Sequence, residues 1–142
     1  MHLLAAPNLS TLNQIAFSYP SRRETPVLRD ITLTANPGEQ VALVGASGAG
    51  KTTIAALLLR FYEPDSGVLL FDGRPAGSIP LSQLRKQMAM VPQDILLFGG
   101  SIKENIAYGK PHASQQEIEY AARQANAHDF INSFPEGYET IV

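Results

Sequence analysis

The feature that most constrains this chain is the run Gly45-Ala46-Ser47-Gly48-Ala49-Gly50-Lys51-Thr52, which fits the pattern G-x-x-x-x-G-K-[ST]. Glycines at these spacings let backbone N–H groups curl around phosphate oxygens. The lysine reaches the outer phosphates of a nucleoside triphosphate, and the threonine hydroxyl is placed for Mg2+. Gly48 removes one more side chain from the loop. The expected nucleotide-binding residues are therefore Gly45, Ala46, Ser47, Gly48, Ala49, Gly50, Lys51, Thr52 and the adjoining Thr53, with ATP as the ligand and Thr52 as a magnesium ligand.

The flanks agree with this reading. Asn36-Pro37-Gly38-Glu39 is a turn signal, and Gln40 to Gly45 then runs almost continuously apolar, which predicts a strand buried on both faces. From Lys51 to about Tyr62 the spacing of Ile54, Leu57, Leu58 and Phe61 predicts a helix with one apolar face. A strand feeding a glycine-rich turn that opens a helix is the context a phosphate loop requires, because the positive end of the helix then faces the anion.

Upstream, Leu12 to Ser18 and Leu28 to Ala35 alternate apolar with polar and predict a small antiparallel ribbon. Downstream, Val68 to Phe71 predicts a short strand closed by the turn pair Asp72-Gly73. Leu81 to Gln87 predicts a short helix, and Met88 to Val91 another strand. Asp72 sits after an apolar strand, as a metal-binding aspartate might be sought, but the following glycine marks it as a hairpin residue. Ser101-Ile102-Lys103-Glu104 and Ser114-Gln115-Gln116-Glu117 are capping boxes, each announcing a helix. In the second of these helices Ile118, Ala121, Ala122 and Ala125 form the expected inward face, and a further short helix is expected over Ala127 to Ser133.

Composition closes off several alternatives. A net charge of −2 supplies no basic field, which argues against nucleic acid as a partner. The chain has no cysteine, hence no disulfide framework, thiolate nucleophile or cysteine-based zinc site. Its longest unbroken apolar run, Ile54 to Leu59, is far shorter than the ~20 residues of a spanning helix. His2, His112 and His128 lack metal-ligand spacing and read as surface or packing residues. Met1 to Ala6 lacks the charged start and length of a signal peptide, and residues 1–11 read as a linker.

Several stretches together resemble the nucleotide-binding domain of ATP-binding cassette (ABC) transporters of the exporter type. They are Phe17-Ser18-Tyr19-Pro20-Ser21-Arg22, Pro37 to Gly45, Arg60-Phe61-Tyr62-Glu63-Pro64, Val91-Pro92-Gln93-Asp94 and Leu97 to Ile106, in the family's order. The resemblance implies an α/β fold: a partial P-loop NTPase-type core with an N-terminal antiparallel β subdomain and the start of a helical subdomain. On this reading the partial ATP-binding domain covers 12–142, with the β subdomain and phosphate loop in 12–94 and the helical part beginning in 95–142.

The resemblance also implies roles. Tyr19 would stack on the adenine ring, and Gln93 would be the Q-loop glutamine that reaches the metal. Lys51 and Gln93 would touch the transition state or the metal, and Phe98 would lie where the domain meets the coupling helices of a transmembrane domain. By residue type alone Tyr19 reads equally as a core or turn aromatic, Gln93 as a solvated loop amide and Phe98 as a packing residue.

The family's LSGGQ signature, Walker B aspartate, catalytic glutamate, D-loop and switch histidine do not occur in this sequence. The complete protein is expected to hydrolyse ATP at the cytoplasmic face of a membrane, held by transmembrane segments and paired with a second nucleotide-binding domain. The present chain is expected to bind nucleotide with little or no turnover, since phosphoryl transfer depends on positioning and electrostatics from the groups it lacks. A soluble ABC-type ATPase without a membrane partner is the alternative. Parallel strands that normally flank the phosphate-loop strand are also expected from outside this sequence, so the isolated chain is expected to expose apolar sheet edges and to be marginally stable.

Overall fold

The computed structural model describes residues 3–5, 9–92, 94 and 96–142. Gln93 and His2, both named above, lie outside the described residues, as does Ile95. The chain divides into two compact units, Met1–Gln93 and Asp94–Val142.

The first unit is organised by an antiparallel four-stranded sheet. Its strands are β2 (Ser10–Phe17), β3 (Leu28–Ala35), β4 (Ser66–Phe71) and β5 (Arg74–Pro75), in the order β3-β2-β4-β5. The expected ribbon is the β2–β3 pair, with Leu12 opposite Leu33 and Phe17 opposite Leu28. A separate two-stranded sheet pairs β1 (Leu3–Ala5), within the stretch read as a linker, with β6 (Ala89–Val91).

A bulge in β2 decides which residues reach the core. Simple alternation would send Leu12 and Ile15 to opposite faces, yet both are fully buried. Gln14 takes φ 51°, and the pairing of β2 shifts register on both sides of it, so that one extra residue returns Ile15 to the face of Leu12. Gly67 on the neighbouring strand accommodates the bulge: a Cβ there would lie 2.3 Å from the Gln14 carbonyl oxygen.

The helix α1 (Lys51–Leu58) contributes Ile54, Leu57 and Leu58 to the same core as Leu12, Ile15, Phe17, Leu28, Leu69 and Phe71. Each such large side chain, fully buried, supplies about 1.5–3 kcal/mol. The helix is shorter than its apolar spacing predicts. Arg60 turns left-handed at φ 51°, the Arg60 N–H donates to the Leu57 carbonyl, and the Phe61 N–H donates to Ala56, which closes the helix. Phe61 therefore leaves the inward face and is 54% exposed, with the Arg85 guanidinium 4.8 Å above its ring. Beyond it α2 (Leu81–Arg85) buries Leu84.

The expected buried strand over Gln40 to Gly45 does not form: residues 40–46 carry no strand, and Val44 is 93% exposed. A doubly buried strand needs ladder partners on both edges, and no strand among the described residues pairs with this segment.

The second unit is helical. Its helices α3 (Ile102–Ala107), α4 (Gln115–Gln124) and α5 (His128–Asn132) surround a core of Ile118, Ala122, Ile131 and Tyr138. Both predicted capping boxes are present. The Ser101 and Ser114 hydroxyls accept from the N–H groups of Glu104 and Glu117, whose carboxylates accept in return from the serine N–H groups. On α4 only Ile118 and Ala122 are buried; Ala121 and Ala125 face outward, because one unit's short helices cover a narrower stripe than four residues span. The segment after Tyr138 runs back along the start of α3, where Ile141 bridges Ser101.

Candidate nucleotide site

Gly50 caps α1 at its N-terminus with φ 86°, in the left-handed region that favours glycine. It is also buried, and a Cβ there would lie 2.6 Å from Leu28 Cδ2. The glycine thus serves two purposes, turning the loop into the helix and letting the helix start lie close against β3. Space beside Gly48 is open, with no atom within 4 Å of a Cβ built there.

Lys51 folds back over this loop. Its Nζ donates to the carbonyl oxygens of Gly45 at 2.8 Å and Ala46 at 2.7 Å. The ammonium is thereby held at the mouth of the loop by two backbone acceptors, where an arriving phosphate would compete for it. Thr52 is exposed in the first turn of α1, beside N–H groups that a helix start leaves without intrahelical partners.

A cavity of about 850 Å³ opens on the loop and is lined by Gly45, Ser47, Gly48, Gly50, Lys51, Thr52 and Thr53. Tyr19, Val27, Leu33 and the exposed segment Val41 to Val44 line it as well. Tyr19, Lys51 and Thr52, predicted as parts of one site, therefore share one cavity. Its volume suits a nucleotide-sized ligand. A cation on the loop, an adjacent hydroxyl and an open backbone cradle fit a magnesium-bound triphosphate.

Tyr19 is half-buried and firmly placed. Its ring packs edge-on against Phe17 (5.1 Å, 78°) and Tyr62 (5.3 Å, 89°), and its hydroxyl lies 2.9 Å from Thr53 Oγ1. No local pattern points to this last contact, which joins positions 34 residues apart.

Glu39 is the only carboxylate among the described residues lining the cavity. Its side chain accepts from the backbone N–H and side-chain amide of Asn36, both at 2.8 Å, and these bonds hold its carboxyl below the usual range. It is an acceptor already committed to a turn and a poor general base.

In the second unit Phe98 is half exposed and stacks on Tyr108, ring centroids 4.1 Å apart and 9° from parallel. Leu96 and Leu97 are exposed beside it. Asn105 organises this loop: its side-chain oxygen accepts from the Phe98 N–H, and its amide donates to the carbonyls of Phe98 and Ser101. The pairing of Phe98 with Asn105 is not legible in the sequence, because their spacing of 7 residues matches no local motif.

The remaining candidates fall away from the site. Asp72 and Gly73, at φ 52° and 73°, form the turn between β4 and β5, and Asp72 Oδ1 accepts from the Leu9 N–H. His112 is exposed, whereas His128 bridges Tyr138 and Asn132 through its two ring nitrogens. Among the described residues no cluster of His, Asp or Glu could hold a metal by itself, and no helix is long and apolar enough to cross a membrane.

The family model described as ABC transporter matches residues 28–140. The chain is 54% identical over 133 residues to a mitochondrial potassium channel ATP-binding subunit of Pongo abelii, covering 93% of this chain and 18% of that protein. It is 50% identical over 132 residues to an ATP-dependent lipid A-core flippase of Chromobacterium violaceum, covering 93% of this chain and 22% of the flippase. Among solved structures, a bacterial Atm1-family ABC exporter with ATP bound superposes with a TM-score of 0.84 at 40% identity, covering 96% of this chain and 24% of that one.

Proposed function

This chain belongs to the ABC transporter family, a solved structure it resembles at 40% identity is an ABC exporter with ATP bound, and its fold is of the P-loop NTPase type; on that basis we propose that it binds MgATP at the Gly45–Thr53 loop. Lys51 would release the Gly45 and Ala46 carbonyls to meet the outer phosphates, and Thr52 would ligate Mg2+. Gln93 would complete the metal's surroundings, and Tyr19 would stack on adenine. The observation that carries this reading is one cavity whose lining includes Tyr19, Lys51 and Thr52 together.

The whole protein, in our proposal, couples ATP binding and hydrolysis to transport across a membrane. Its transmembrane domain would contact the loop around Phe98, and a second nucleotide-binding domain would close head to tail on this one with the ATP between them, both at the cytoplasmic face of the membrane. The part before residue 95 would hold the nucleotide, while 95–142 would begin the helical subdomain. Within this chain the cavity's only described carboxylate is tied to Asn36, which favours binding without turnover.

Titration with a fluorescent ATP analogue in the presence of Mg2+ tests the assignment. Saturable binding is expected, weakened at least tenfold by Lys51→Ala; unchanged affinity in that variant would refute it. Phosphate release above the buffer rate that disappears in Lys51→Ala would show that the chain turns over after all.

A further inference from the structure

Asn105 holds both members of the exposed ring pair in the second unit. Its side-chain oxygen accepts from the Phe98 N–H at 2.8 Å, and its amide donates to the Phe98 carbonyl at 2.9 Å. One side chain thus meets both backbone polar groups of Phe98, as a neighbouring strand would. The same amide donates to the Ser101 carbonyl at 3.0 Å, and the Asn105 carbonyl accepts from the Tyr108 N–H at 3.4 Å. Phe98 and Tyr108 are therefore anchored to a single residue of α3.

The loop is tied at its far end as well. The pair Gly99-Gly100 beside Phe98 gives the backbone freedom to swing. Against this, the Val142 N–H donates to the Gly100 carbonyl and the Ile102 N–H to the Thr140 carbonyl, both at 2.9 Å. Between these ties the Phe98 ring lies parallel to that of Tyr108, with 51% and 64% of the two residues exposed. Rings already held in place lower the entropy lost when a partner docks on them.

We propose that Asn105 is a positioning residue for docking: it holds Phe98 on Tyr108 as a preformed apolar shelf that receives an apolar turn of one transmembrane-domain helix. This deepens the reading of the Phe98 loop as the transmembrane contact and rests on it. Leu96 to Ser101 carries no charged side chain, and Leu96 and Leu97 are exposed beside the rings, so the shelf suits an apolar partner. Leu96, Leu97, Phe98 and Tyr108 fall far short of the roughly 20–30 residues a side that hold separate proteins together. A shelf this small suits a helix tethered within the same protein, where a high effective concentration makes up for small area. Asn105 acts through Phe98 without touching that helix.

Photo-crosslinking in the complete protein, held in lipid nanodiscs, tests this. A benzoylphenylalanine probe in place of Leu97 leaves the ring pair intact and is expected to crosslink to a transmembrane-domain helix, identified by mass spectrometry. Asn105→Ala and Phe98→Ala are each expected to cut that yield about fivefold or more, the size of one lost hydrogen bond. The double variant should fall no lower than either single one, since both act through the same ring. Tyr108→Leu, which removes the stacking ring but keeps the Asn105 side-chain bonds, should also lower the yield. In the isolated chain, Asn105→Ala should shift the Tyr108 ring protons in the NMR spectrum toward free tyrosine while the methyl signals of Ile118 and Ile131 stay in place.

An unchanged yield in Asn105→Ala beside a reduced one in Phe98→Ala would overturn the positioning role. So would an unchanged yield in Tyr108→Leu, a change at an exposed side chain that does not depend on Asn105→Ala folding. Crosslinks only to a second copy or to a soluble protein would overturn the choice of partner. Crosslinks to the transmembrane domain that persist undiminished in Phe98→Ala would instead remove the underlying reading of Phe98 as the contact, a result distinct from the failure of Asn105 alone.

Discussion

The guanidinium of Arg60 donates a 2.8 Å hydrogen bond to the carbonyl oxygen of Ala76, from a backbone held at φ 51°. The same Nη1 reaches Ile79 O at 2.9 Å, and Nε and Nη2 both bond Glu63. Arg85 adds bonds from the other side, to the carbonyls of Leu59 and Arg60. The end of the phosphate-loop helix is thus tied by two arginines to the segment leading toward β6. Arg60→Ala should cost about 2–3 kcal/mol, since charge-assisted bonds to part-buried carbonyls are lost. Arg60→Gly should cost about 1 kcal/mol less, because glycine removes the strain of the positive φ. Urea unfolding of the two variants checks the order; a glycine variant less stable than the alanine one would contradict it.

Gly67→Ala should destabilise the chain by roughly 3 kcal/mol or abolish folding, because the new methyl meets the backbone oxygens of Gln14 and Asn13 and φ is +86°. Backbone at a bulge has no flexible end to move aside. Gly77→Ala, with open space and no positive φ, should stay within about 0.5 kcal/mol. Circular dichroism melts of both variants make the comparison.

Glu117 predicts an acid-sensitive helix start. The Lys110 ammonium, followed by the backbone N–H and hydroxyl of Ser114, lowers its carboxyl from the usual 4.5 to about 2. A folded pKa below the unfolded one contributes stability above about pH 4.5, and that contribution is lost as the pH falls toward about 2. Lys110→Ala should raise the Glu117 pKa and move the loss to higher pH. Carboxyl NMR titration follows the group directly; an unchanged midpoint in that variant would count against the ion pair.

Asp72 should prove structural. Its Oδ1 accepts from Leu9 N–H at 3.1 Å, and Asn, which tolerates φ 52° and retains an acceptor, should replace it at a cost below about 0.5 kcal/mol. Asp72→Ala should cost about 1–2 kcal/mol. Neither change should alter MgATP affinity, so a tenfold loss in Asp72→Asn would return this residue to the nucleotide site.

Much of the fold was legible where a few neighbouring residues suffice to define it. The two capping boxes, the Asp72-Gly73 hairpin and the strands of the ribbon follow from short-range hydrogen bonding and turn geometry. Reading failed where a long-range partner decides. The run Gln40 to Gly45 has a strand's composition but no described strand beside it, and Phe61 has the right helical spacing but falls beyond a left-handed arginine. Ala121 and Ala125 share the periodicity of Ile118 and Ala122 without being covered.

The sequence by itself determined the phosphate loop, since Gly45, Gly50, Lys51 and Thr52 carry their geometry in their own backbone freedom, charge and hydroxyl. It determined the helix starts for the same local reason. Only the tertiary structure decided that Tyr19 reaches the loop's cavity, that its hydroxyl belongs with Thr53, and that Arg60 and Arg85 close the helix behind them. Those contacts join residues 16 to 34 positions apart, and a side chain's identity does not state which distant atom it will meet.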